Sequence, residues 1–167
     1  MNGQTGTRKV MREGDFIVSK TDTKGRITYG NKIFIQMSGY SEQELLGAPH
    51  NILRHPDMPR IVFKLLWERV QNGQEIFAYV KNRCKDGSYY WVFTNVTPSY
   101  DENGTIIGYY SVRRKPKESA IEAIEPIYRA LIQAEATGGM DASMRLLEKT
   151  LSEKGVGYDE LIAALQK

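Results

Sequence analysis

The chain has 167 residues, with 23 Lys and Arg against 20 Asp and Glu, and 41% of it is apolar, which suits one globular core with an appendage. No stretch reaches the roughly 18–20 uninterrupted apolar residues of a membrane-crossing helix, and the basic N-terminus has no apolar run behind it, unlike a signal peptide. A single cysteine, Cys84, excludes an internal disulfide framework and a cysteine zinc cluster, so a cytoplasmic protein is expected.

Charge divides the chain. Residues 1–116 carry 17 Lys+Arg against 11 Asp+Glu, and residues 117–167 carry 6 against 9. The one dense basic cluster, "RRKPK" at 113–117, has no basic and aromatic face around it, so nucleic-acid binding is not expected.

Residues 1–13 read as a flexible N-terminus. "DFIVSKTDTKGRITYGN" then reads as two short strands around a turn at Gly25, with Phe16 and Val18 alternating with polar neighbours. Ile33, Phe34 and Met37 recur at helical spacing, with Asn31 as cap and Gly39 as stop. Ser41 and Glu44 form a capping-box pattern closed by Gly47. A longer helix follows, with Asp57 as its cap, Pro59 in its first turn and Gly73 at its end. Val62, Phe63, Leu66, Trp67 and Val70 make its apolar face.

Three strands come next, joined through Lys85-Asp86-Gly87 and through the turn ending at Gly104. The order predicts an α+β domain over 14–116, its helices packed on one face of an antiparallel sheet. From 117 onward the pattern is helical only. Ile121, Ile124, Tyr128 and Leu131 form a seam in which Pro126 should kink or restart the helix. "TGGMD" should break the chain before a second seam from Met144 and a short third from Tyr158. Helices this short must pack on the domain, on a second copy or on another protein.

"ITYGNKIFIQMSGYSEQELLGAPHNILRHPDMPRIVFKLLWERVQNG", followed by "YVKNRCKDGSYYWVFTNVTP" and "GYYSVRRKP", resembles a PAS domain. The pairing of "HNILRHPDMP" with "VKNRCKDGSYYW" is similar, more narrowly, to the FAD-binding PAS sensor of bacterial aerotaxis and energy-taxis receptors. That resemblance implies a PAS fold, a five-stranded antiparallel sheet with helices on one face, here with a C-terminal helical extension. It implies FAD as cofactor and a transmembrane chemoreceptor or other signalling protein as partner. No transmembrane segment follows the domain, so a separate soluble sensor subunit is expected, with a homodimer as a further association and no direct membrane insertion.

A flavin takes an apolar or aromatic slot for its ring, polar groups for its edge and cations for its pyrophosphate. Phe63 and Trp67 lie four apart on one helix face; alone they read as core aromatics, and the resemblance gives them a ring-facing role as well. Asn82 ends a strand as a turn residue does, yet it stands at the family's flavin-binding Asn, where an amide donates and accepts at once. Phe77 and Tyr79 of the same strand are candidates for ring contact, and Asn31 and Asn95 for polar lining. Arg54 precedes a helix N-terminus and suits either the pyrophosphate or the flavin edge, or a surface pair with Asp57. His50 and His55 are five apart across a proline-bearing turn, which suits loop hydrogen bonding or cofactor contact better than a helical metal pair. Cys84 sits in a hairpin turn, outside the helical motif of light-sensing flavin PAS domains.

Three functions follow from this reading. The first is a redox sensor signalling through its C-terminal helices. The second is a haem gas sensor with His50 or His55 as axial ligand, and the third is a ligand-free dimerisation adaptor. An enzyme is not expected, because the sequence shows no nucleophile triad, phosphate-cradling glycine loop or paired metal motif.

Overall fold

The computed structural model describes residues 6–167. Five strands, β1 (Ile17–Thr21), β2 (Ile27–Gly30), β3 (Ile76–Arg83), β4 (Tyr89–Tyr100) and β5 (Ile106–Arg114), form one antiparallel sheet ordered β2-β1-β5-β4-β3. Between β2 and β3 the chain makes α1 (Lys32–Ser38), α2 (Glu42–Leu45), a 3-10 turn (His50–Leu53) and α3 (Arg60–Gln71). After β5 come α4 (Glu118–Lys154) and α5 (Tyr158–Leu165). The α+β order, both glycine turns and the helical extension match the sequence reading.

The pleat decides which side chains meet. Ala78, Val80 and Asn82 of β3 share a face with Thr94 and Val96 of β4, and with Ser111 and Arg113 of β5. That face meets α3. Phe77, Tyr79 and Lys81 point the other way with Asn95, Phe93 and Trp91. The extension covers this second face: Tyr128 stacks on Trp91 and donates to the Tyr79 carbonyl at 2.6 Å, while the Tyr79 hydroxyl donates to Ile162 O and Gln166 Oε1. The helices between β2 and β3 thus lie on one face of the sheet as expected, and the C-terminal extension covers the other, where the sheet carries an aromatic layer of its own.

Several local expectations change. On β1 the inward residues are Ile17 and Ser19, and Phe16 is exposed. Asp57 does not cap α3; it receives Lys81 Nζ at 2.9 Å, and Pro59 holds the cap position with no side-chain acceptor. α4 continues through Pro126, flanked by buried Ile124 and Tyr128, while the break expected in "TGGMD" is present at Gly139 (φ 73, ψ −165). Within the N-terminal segment expected to be flexible, residues 1–5 lie outside the described residues. Residues 7–9 run beside β4, with Lys9 N donating to Tyr89 O and Arg8 forming a bidentate pair with Glu118.

Candidate functional site

Between α3 and the inner face of the sheet lies a cavity of about 270 Å³. Phe63, Leu66, Trp67 and Val70 line it from α3, because positions three and four apart share one helix face. Val80 and Val96 line it from the sheet. The β1–β2 turn closes one side at Gly25, whose φ is +84 and where an added Cβ would lie 3.0 Å from the Trp67 ring. A side chain there is excluded both by the backbone and by the indole.

Polar groups gather on the sheet side. Thr94 Oγ1 and Ser111 Oγ lie 3.0 Å apart. Arg113, 3% exposed, donates through Nη2 to Ser19 Oγ at 2.6 Å and to His50 Nε2 at 2.6 Å, and its Nη1 has no partner. Burial lowers its pKa to about 10, opposed by Tyr90, and no carboxylate acts on it. Among the described residues it is a buried cation without a counter-ion. Because guanidinium only donates, His50 Nε2 accepts, and the imidazole is neutral with its proton on Nδ1. Burial and then the Arg113 charge hold the His50 pKa at about 3. Asn82, 4% exposed, also lines the cavity; its Nδ2 has no well-aligned acceptor among the described residues, and the buried Tyr90 hydroxyl, its cross-strand neighbour, lies within reach of its side chain. Two cavity-lining side chains thus each carry a buried nitrogen without a well-aligned acceptor among the described residues, a state that costs free energy.

The sequence candidates separate into two groups. Asn82, Phe63, Trp67, Arg54 and His50 all line the cavity. Arg54 bridges Asn82 through its backbone and lays its guanidinium over the Phe63 ring at 4.2 Å from the centroid. The other five lie elsewhere. Phe77 and Tyr79 face the extension, since odd and even positions of a strand cannot share a face. Asn95, on that outer side, donates to Glu75 Oε1 and Ile76 O. Asn31 caps α1 and ties Val18 and Phe16 to it. His55, 1% exposed, accepts the Asp57 N–H through Nδ1 at 3.0 Å, and burial lowers its pKa. Sequence reasoning missed Arg113, Ser19 and Ser111 as cavity residues.

Comparison with known proteins gives this arrangement its family. Residues 27–113, just over half of the chain, match the family model described as PAS fold. The aerotaxis receptor of Escherichia coli (strain K12) is 45% identical over 115 residues, which are 69% of this chain and 22% of the receptor. The chain thus spans about a fifth of the length of that relative. Among solved structures, the PAS domain of a protein from Colwellia psychrerythraea aligns with TM-score 0.55 and 26% identity, covering 60% of this chain and 85% of that one. The dark structure of the blue-light photoreceptor Aureochrome1 LOV aligns with TM-score 0.56 and 26% identity, covering 65% of this chain and 79% of that one. With the matched residues and the aligned fold in agreement, this chain belongs to the PAS family, and its PAS domain is of the kind carried by the aerotaxis receptor.

Proposed function

We propose that the cavity holds FAD and that the domain is a redox sensor for taxis, working in the cytoplasm and passing its state to a transmembrane chemoreceptor or another signalling protein. The observation that carries this reading is a cavity walled by apolar side chains of α3 and lined on the sheet side by polar ones, among them Asn82 and Arg113, each with a buried nitrogen that has no well-aligned acceptor among the described residues. A flavin has two flat faces and one edge where carbonyl and N–H groups alternate. Phe63, Leu66, Trp67 and Val70 opposite Val80 and Val96 suit the faces. The Asn82 amide, with an NH₂ that donates beside a carbonyl that accepts, suits the edge, and Arg113 suits a carbonyl or a negative charge there. At about 270 Å³ the space sits just under the roughly 300 Å³ of the smaller ligand pockets, room for a ring system and little else. Lys24 and Arg54, exposed cations on the same cavity, suit a pyrophosphate.

Bound flavin supplies an electron acceptor whose charge and protonation follow its reduction. The protein's own charge at the cavity is constant over the neutral range, because His50 stays neutral below its ordinary pKa and Arg113 stays cationic. Only the ligand's charge then varies with redox state, and a few kcal/mol of altered preference at Asn82 and Arg113 is enough to bias a two-state output. No reaction is assigned to the domain.

The haem reading loses support because His50 Nε2, the atom an iron would need, already accepts from Arg113 at 2.6 Å, and His55 lies off the cavity. The adaptor reading leaves both buried donors without purpose. An absorption spectrum of the purified protein, before and after anaerobic reduction and after incubation with FAD, tests the proposal. Flavin absorbance that bleaches on reduction is expected, and Asn82→Ala should weaken FAD binding about tenfold. A Soret band, or a protein that takes up no flavin, would overturn it.

A further inference from the structure

α3 carries the cavity's apolar wall, and nothing in its own neighbourhood caps it. Pro59 offers no side-chain acceptor and Asp57 is turned to Lys81. The first free N–H groups are instead taken by the extension: Glu135 Oε1 accepts from Arg60 N at 2.9 Å, and Oε2 from Ile61 N at 3.1 Å. The carboxylate is 8% exposed, and Ser143 Oγ donates to it at 3.0 Å. At the far end of α3, Arg69 donates to both Asp159 oxygens at 2.9 and 3.0 Å and lies over the Tyr158 ring. α5 is in turn fixed to β3, where the Tyr158 hydroxyl donates to Phe77 O at 2.8 Å. One helix is thus gripped at both ends by the C-terminal extension while its middle faces the cavity.

We infer that the extension is part of the site: Glu135 is a positioning residue that sets the pose of α3, so cavity fit and docking of the extension are linked equilibria. Phe63 stands one turn beyond the capped residues and also carries Arg54 on its ring. Releasing the Arg60 and Ile61 N–H groups frays that turn first. A ligand that favours α3 in its held pose favours the docked extension by the same factor, and loss of the cap weakens the ligand. The flavin part of this inference rests on the proposed function; the linkage itself does not.

The two tryptophans separate the ends of the linkage. Trp67 lines the cavity from α3, and Trp91 stacks on Tyr128 across the sheet. In the full chain carrying Trp91→Phe, Trp67 is the sole indole, and its emission and acrylamide quenching are compared with Glu135→Gln and Glu135→Ala added. Emission should shift to the red and quenching should rise, more for Ala than for Gln, which keeps one acceptor oxygen. With flavin present, Glu135→Ala should raise the flavin Kd about fivefold or more, and flavin should slow hydrogen exchange in 140–165 of the parent. A lowered melting temperature with unchanged Trp67 emission, unchanged quenching and unchanged Kd would mean a purely structural cap and would overturn the inference. If Glu135→Ala does not fold, the Gln variant decides. If the parent binds no flavin, the flavin reading falls and the Trp67 measurements alone decide the linkage.

Discussion

Replacing Arg113 by methionine separates stability from binding. Burial lowers the guanidinium pKa from 12.5 to about 10. At roughly 1.4 kcal/mol for each pH unit, the charged form is disfavoured in the folded protein by on the order of 3 kcal/mol. Against this stand two donations from Nη2, to Ser19 and His50. Ser19 Oγ and His50 Nε2 lie 3.3 Å apart and can pair with each other once Arg113 is gone, so the loss is only about 1–2 kcal/mol. Methionine has a similar reach and fills the space without a charge. Arg113→Met should therefore make the ligand-free protein more stable by about 1–2 kcal/mol, as found when buried ions give way to apolar residues. For a chain of this size that raises Tm by roughly 2–8 °C. The same variant should bind flavin at least about tenfold more weakly, having lost a charge-assisted contact. Urea unfolding of flavin-free protein and a flavin titration, run side by side, measure both. If ligand-free Arg113→Met is less stable than the parent, the guanidinium is already compensated within the protein and the argument for a waiting acceptor fails.

Other consequences are as direct. Tyr128→Phe removes a buried hydroxyl that donates to Tyr79 O at 2.6 Å, and should lower stability by about 1–2 kcal/mol by urea unfolding. His50 has its folded pKa near 3 and its ordinary value at 6.5, so as pH falls through that window the unfolded chain binds a proton that the folded one refuses. Stability should therefore be full above 6.5 and decline toward 3, and His50→Asn should flatten that decline in urea midpoints measured across the window. Gly139→Ala places a Cβ in open space but on a backbone at φ 73, ψ −165. It should cost about 1–3 kcal/mol, read as faster hydrogen exchange in 140–154 with the sheet unaffected.

What the sequence made legible was what local pattern controls. Asn31, the Ser41–Glu44 box and the glycine turns announce themselves over three or four residues, and the structure places each where the pattern does. The Phe63–Trp67 face is legible from helical spacing, whereas singling out Asn82, and giving those aromatics a second role, needs the family resemblance. The period of two in a strand parts Phe77 and Tyr79 from Asn82, so that a shared cavity role for all three conflicts with the pleat. Arg113 was hidden in "RRKPK", where a count of charges outweighs a question about faces. Alternation with Tyr109 and Ser111 would have turned it inward. Glu135 as the cap of α3 was beyond local reading, since it lies 74–75 residues from the amides it holds. The nearer Asp57 looked adequate until Lys81, 2% exposed, needed it more.

The placement of β3 carries a consequence of its own. It is one of the two edge strands, hydrogen-bonded along its length to β4, and on its other side stitched to the turn before α3 by the Arg54–Asn82 bridge. A central strand yields only by loosening two ladders, whereas a marginal one yields by loosening one. A pull on the Asn82 amide therefore acts on a margin of the sheet held by a single ladder and one stitch, on the same strand against which α5 packs.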